Sequence, residues 1–198
     1  MKKELLLKSI AETAYNVGYG AKVNFATYDI VEKAPGFFGF VSLVVGIYAL
    51  FLKELTSEHV GAALVVLGVI TLYLNNYSTE KDKYDEMGKE LTARFSALKT
   101  LFRTAQSRPE TEDFTEIAES LTRIEQEVIK LTPSKQILFS DWYAHYKFFW
   151  QQQTDWIAEA RPFTLFRDKL PLTFTAAMAA VVIAGVVQVI RCYAPCCG

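Results

Sequence analysis

Residues 37–52 read FFGFVSLVVGIYALFL, residues 53–59 read KELTSEH, and residues 60–74 read VGAALVVLGVITLYL. Neither apolar run holds a charged side chain, and only a short polar turn separates them. The remaining chain is rich in charge: Lys, Arg, Asp and Glu concentrate in 1–33 and 78–169. A small soluble core cannot bury two such runs back to back, whereas a bilayer accommodates them as a transmembrane hairpin. At 1.5 Å per residue the runs reach about 24 and 22 Å, short against a hydrocarbon core of about 30 Å. Their flanks compensate. Tyr73, Asn75, Asn76 and Tyr77 suit the interface, and Lys53 can snorkel.

A third uncharged run, LPLTFTAAMAAVVIAGVVQVI at 170–190, is long enough for a span of about 31 Å. Lys and Arg number five in 1–36, one in 53–59 and fourteen in 75–169. The positive-inside rule therefore puts the N-terminus and the long middle segment in the cytoplasm and the 53–59 turn outside. The start MKKELLLKSIAET is cut by Lys8 and is too short in apolar residues for a cleaved signal. The expected organisation is a cytoplasmic N-terminal helix at 1–36, the hairpin at 37–74, a cytoplasmic helical region at 75–169, a candidate third span at 170–190 and a tail at 191–198. The fold class is an all-α membrane protein.

Small residues mark the hairpin faces. Gly39, Ser42 and Gly46 share one side of the first helix, and Gly61 and Gly68, with Thr71 nearby, mark the second. Such spacing lets membrane helices approach closely, either within the hairpin or between copies of it. Pro35-Gly36 predicts a helix break before the first span. Leu91, Phe95, Leu98 and Phe102 predict an amphipathic helix closed by Pro109. Phe114, Ile117, Leu121, Ile124, Val128 and Leu131 follow a heptad pattern that Pro133 ends. Ser140 suits the N-cap of a helix running to Ala160, before Pro162.

Chemistry is sparse. His59 and His145 have no companion at metal-ligand spacing, and Cys192, Cys196 and Cys197 crowd the C-terminus without a fourth ligand. These cysteines suit an inert tail or lipidation. Gly18-Tyr19-Gly20-Ala21-Lys22 lacks the spacing and context of a phosphate loop and reads as helix. No enzyme constellation or cofactor motif is present, and a net charge of −1 disfavours duplex nucleic acid as a partner. Arg94, Lys99, Arg103 and Arg108 lie in a stretch, 91–109, without one acid. They either pair with the acidic helix that follows or bind phosphate. The aromatic segment around Trp142, Tyr143, Tyr146, Phe148, Phe149, Trp150 and Trp156 reads as core, or, with His145 and Lys147, as a clamp for a nucleobase.

The passage NFATYDIVEKAPGFFGF (24–40), the glycine-bearing hairpin and the segment SDWYAHYKFFWQQQTDWI (140–157) together resemble the SLATT family of two-transmembrane effector domains, over roughly residues 5–160. The resemblance implies an oligomeric, pore-forming effector in the bacterial inner membrane. It would permeabilise the host when phage is sensed, under control of a nucleotide or oligonucleotide made by a partner nucleotidyltransferase. The expected ligand residues are Arg94, Lys99, Arg103, Tyr143, His145 and Lys147. The expected pore or helix-contact residues are Gly39, Ser42, Gly46, Gly61, Gly68 and Thr71. The third run and the cysteine tail depart from the two-helix plan. The competing reading is a non-conducting membrane adaptor that recruits a partner protein through its 114–131 heptad.

Overall fold

A computed structural model describes residues 2–131, 135–152, 154–164 and 171–193. Its helices are α1 (Lys3–Ala49), α2 (Glu58–Asn75), α3 (Lys81–Ser107), α4 (Thr115–Leu131), α5 (Ser140–Gln151), α6 (Asp155–Ala160) and α7 (Leu172–Tyr193), with short 3-10 turns at Lys53–Thr56 and Ser78–Glu80. No strand occurs among the described residues.

The expected break at Pro35-Gly36 does not exist, because α1 runs through Pro35 as one helix of 47 residues, about 70 Å long. Proline removes one donor and crowds the carbonyl four residues back, that of Val31. A complete break would strand four carbonyls and four N–H groups, which is costlier in apolar surroundings than one lost bond. The lower part of α1 and the first apolar run are therefore a single rod. The α2 helix has 18 residues, about 27 Å, so its charged and polar ends lengthen it beyond the apolar run. Both α1 and α2 are long and apolar enough to cross a membrane, and α7 holds a shorter apolar stretch, Thr173–Gln188. Along the hairpin Phe37, Phe40, Leu43, Val65, Val69 and Leu72 are all exposed.

Below the hairpin α3 packs antiparallel along α1. Two glycines set their separation: a Cβ on Gly18 would sit 2.7 Å from the Phe95 ring, and one on Gly88 would sit 2.7 Å from the Phe25 ring. The expected stripe Leu91, Phe95, Leu98 and Phe102 is buried against Leu6, Ile10, Ala14, Val17 and Ala21 of α1. The start of α1 is tied to the end of α3 by the Lys3 ammonium, which donates to the carbonyls of Gln106 (2.8 Å) and Arg108 (2.6 Å). The α3 helix stops at Ser107, two residues before Pro109.

Helix α4 closes the same core. Phe114, Ile117 and Leu121 are buried, and Ile124 and Val128 pack on the core's edge. The 114–131 heptad is therefore consumed inside the chain and is not a free docking surface. Asp113 accepts from the Thr115 N–H (3.0 Å) and hydroxyl (2.7 Å), which holds its carboxyl below the usual range. The α4 helix ends at Leu131, and Pro133, its expected stop, lies outside the described residues.

The expected single helix from Ser140 to Ala160 is two helices, broken near Gln152. The break lets Trp156 turn back against Phe95 and Phe102, with ring centroids 5.6 and 5.2 Å apart. Ser140 is not the N-cap. Phe139 holds that position at φ 69°, and the buried Ser140 hydroxyl donates to the Ile137 carbonyl (2.7 Å). Of the aromatic cluster, Phe148 and Trp156 are core, whereas Tyr146 and Trp150 are exposed.

A second, smaller cluster sits under the hairpin: Val31, Leu74, Tyr77, Tyr84 and Ile137, with Phe38 packed on it. The Tyr84 hydroxyl donates to the Lys135 carbonyl (2.7 Å), fastening the 135–139 strap there. Beside it Trp142 anchors the first turn of α7, donating from Nε1 to the Thr173 hydroxyl (2.7 Å) and meeting the Phe174 ring edge-on at 5.4 Å. Further along α7, Met178, Val181, Val182, Ile183, Val186 and Val187 are exposed. Cys196 and Cys197 lie outside the described residues, as does the side chain of Cys192.

Helix α5 is clasped to α1 by Asp29. One carboxylate oxygen accepts from Lys147 of α5 and the other from Lys33 (2.5 Å) of α1 itself. Burial pushes the Asp29 carboxyl up, but the hydrogen bonds from Lys147 and Lys33 outweigh it and leave the group below its ordinary value of 3.8.

Two measurements check this architecture. Gly18→Ala and Gly88→Ala each force ring displacement in a filled core and should cost about 1–3 kcal/mol in detergent melting experiments. Gly20→Ala, whose Cβ would meet Leu91 at an ordinary 3.6 Å, should be close to neutral. A folded-state pKa below the unfolded one means the Asp29 contribution is present above pH 3.8 and disappears as pH falls through the lower folded value. Asp29→Asn should therefore lose about 1.5–3 kcal/mol at pH 7 and converge with the parent chain in strongly acid solution.

Candidate functional site

The six residues expected to bind a ligand fall into two groups, and the structure does not bring them together. The first group belongs to the α3–α4 side. Arg94 Nε lies 2.8 Å from Glu127 Oε2 of α4, and its Nη2 lies 3.7 Å from Glu90 Oε2 on α3. Arg108 likewise faces Glu112 (3.8 Å) and Glu116 (3.6 Å). The pairing account of this basic stretch thus holds for both arginines. Lys99 and Arg103 make no ion pair among the described residues, and Arg103 is exposed. The groove next to Arg94 also carries Lys83, Lys89, Glu86 and Glu90. With carboxylates mixed among its bases, that groove is a poor cradle for phosphate.

The second group sits where α5 meets α1. The Tyr19 hydroxyl donates to an Asp141 carboxylate oxygen. His145 Nδ1 is 2.7 Å from the Tyr19 oxygen and 3.0 Å from the Asp141 carbonyl. Burial first, then the Asp141 carboxylate, raises the Tyr19 hydroxyl far above its ordinary pKa, so it stays a neutral donor. His145 is largely covered by Tyr19 and Phe149, which leaves its ring little room to stack on a ligand. Lys147, by contrast, stands over the face of Tyr143 at 4.5 Å while reaching Asp29.

Three participants here are absent from the expected set: Lys22, Asp29 and Lys33. Their spacings of seven and four residues put them on one face of α1, a signal present in the chain but indistinguishable there from an ordinary charged face. Lys22 has its ammonium lowered by burial and then by the like charge of Lys147. Two polar side chains are buried in α1 close by in sequence. Asn24 donates to the Gly20 carbonyl (2.8 Å) with its Oδ1 left unsatisfied, and Thr27 donates to Gln136 Oε1 (2.6 Å). Gly18 to Lys22 form ordinary turns of α1, in keeping with the helical reading of that glycine pair.

The hairpin residues have a different setting. A Cβ built on Gly39, Gly46, Gly61 or Gly68 meets nothing within 4 Å. The glycines therefore do not serve close contact between the two arms of the hairpin, one of the two roles their spacing allowed. Ser42 is half-buried, and the half-buried Thr71 hydroxyl donates to the Leu67 carbonyl of its own helix (2.9 Å).

No curated protein and no solved structure matches this chain. One family does match, the "SMODS and SLOG-associating 2TM effector domain 6", over residues 1–178. That range covers both apolar arms, the whole α1–α6 core and the start of α7. Membership implies a membrane effector of nucleotide-signalled defence systems. The chain belongs to the SLATT family of two-transmembrane effector domains.

Proposed function

We propose that this chain is the pore-forming effector of a bacterial antiphage system, a homo-oligomer in the inner membrane opened or closed by a nucleotide signal. In this reading the α1–α2 hairpin crosses the bilayer with the Lys53–Thr56 turn outside, and α3 to α6 hang in the cytoplasm. The observation that carries it is the set of vacant glycine faces, Gly39, Gly46, Gly61 and Gly68, on an otherwise apolar hairpin. Small residues with nothing against them let a neighbouring helix backbone approach, and lateral association of such hairpins generates a ring. Ser42 and Thr71 would be the hydroxyls of a conduction path otherwise lined by apolar groups, which closes by dewetting.

The rigid α1 supports gating. A ligand moves a closed–open equilibrium only through unequal affinity for the two states. A signal bound on the lower half of α1 acts on the same rod that continues through Pro35 to Ala49. The adaptor reading needs an exposed recruiting surface, and the heptad it relied on is spent in the core. The helical core carries no proposed catalytic role. A nucleotide from a partner nucleotidyltransferase is the expected signal, consistent with the association in the family's description.

Single-channel recording in a planar bilayer tests the proposal. The full chain should give discrete conductance steps, altered by a nucleotide extract of infected cells. Gly61→Leu and Gly46→Leu fill open space and should leave the folded monomer's melting temperature unchanged while lowering oligomer yield and conductance at least about tenfold. A verified oligomer that stays electrically silent under both conditions would overturn the pore.

A further inference from the structure

We propose that α7 is a third transmembrane helix, entered from the cytoplasmic side next to the foot of α2 and carrying the 191–198 tail to the outer face. The inference rests on the hairpin reading for the position of the bilayer and adds a span to it. The family match ends at residue 178, so most of α7 lies beyond the matched two-transmembrane domain.

The first turn of α7 is seated in the chain. Pro171 is buried, and its carbonyl accepts from the Thr175 N–H (3.1 Å). The bolt from Trp142 of α5 to Thr173 and Phe174 holds the same turn. Trp142 and Thr173 line one groove with Tyr73, which lies two residues before the end of α2. In the hairpin reading Tyr73 marks the cytoplasmic boundary of the hydrocarbon core, so α7 starts at that boundary too.

Beyond this turn every residue from Ala176 to Gln188 is exposed, about three and a half turns of helix. No charged residue occurs between Leu170 and Ile190, and Gln188 is the single polar side chain in 176–188. A helix lying flat on a bilayer needs a charged or polar face, which this stretch lacks. A helix left in water would keep Met178, Val181, Val182, Ile183, Val186 and Val187 hydrated, against the hydrophobic effect. Crossing the bilayer removes all sides from water at once and keeps the backbone groups paired within the helix. The 22 residues of α7 reach about 33 Å, against a core of about 30 Å. Its apolar stretch, Thr173–Gln188, matches the first hairpin run at about 24 Å. Lys and Arg number three in 161–169 and one in 191–198, which sets the N-terminal end of α7 in the cytoplasm.

The test labels bacterial spheroplasts with a maleimide on a long polyethylene glycol chain, too large for an ion-conducting pore. The full chain is expressed with Cys192, Cys196 and Cys197 replaced by Ser, and single reporters are added: Ser57→Cys in the turn, Ser96→Cys in the exposed face of α3 and Gly198→Cys in the tail. Gly198→Cys and Ser57→Cys should react in intact spheroplasts. Ser96→Cys should react at least about tenfold less until the membrane is opened. Adding Ala179→Arg and Val182→Arg puts two charges in the middle of the span without touching a buried residue. That pair should lower outside labelling of Gly198→Cys at least about tenfold and leave the melting of the α1–α6 core unchanged. A Gly198→Cys reporter protected like Ser96→Cys overturns the span, leaving α7 on the inner surface or packed on a second copy. Outside labelling that survives the two arginines overturns it as well. Protection of Ser57→Cys with Gly198→Cys still labelled sinks the hairpin topology, and the reverse pattern sinks the α7 span alone.

Discussion

The structure depends on the continuity of one helix. From Lys3 to Ala49 the chain runs as a single helix, and α2, α3, α4, α5 and α6 all pack against it. Its lower half offers small residues, Ala11, Ala14, Gly18 and Ala21, against which the larger side chains of α3, α4 and α5 close. Its upper half exposes large apolar residues, among them Phe37, Phe40, Leu43 and Ile47. Crossing from one regime to the other at Pro35 loses one backbone bond and keeps the axis intact.

Close helix approach lets bulky rings fill this core. Gly18 admits Phe95 from one side and Phe148 from the other, while Gly88 admits Phe25. Each glycine sacrifices some helix propensity, about 1 kcal/mol relative to alanine, for a contact that brings a full aromatic ring into the interior. The hairpin glycines make the same sacrifice without a contact inside the chain. That contrast between filled and vacant glycines within one molecule underlies the oligomeric reading.

Much of this architecture was legible in the residues, and the reasons are specific. The stripe Leu91, Phe95, Leu98 and Phe102 and the heptad from Phe114 declare their faces by spacing, because a helix repeats every 3.6 residues. The hairpin declares itself by lacking charge. Pro35 misled because its local cost is visible in sequence, whereas the cost of interrupting a helix in apolar surroundings is not. Ser140 misled for a related reason: its hydroxyl found the Ile137 carbonyl, a partner set by the strap's path. For the candidate site, Lys147 stood out but its partner did not. Asp29 is 118 positions away and looks like any residue on a charged helix face. The pairing of Arg94 with Glu127 was one of two open alternatives, and only packing of α4 on α3 decides between them.

The unbroken α1 also fixes a phase relationship. Successive residues on a helix are turned by about 100°, so the azimuth of Gly39 and Gly46 is locked to that of Gly18, Ala21 and Asn24 far below. One residue inserted between Val31 and Gly39 would leave both halves chemically unchanged and swing the upper face by more than a quarter turn against the lower. The link between α3 and α4 carries no such angular information, and its length can drift at small entropic cost. Sequence length along α1 is therefore itself a structural parameter, set to the residue.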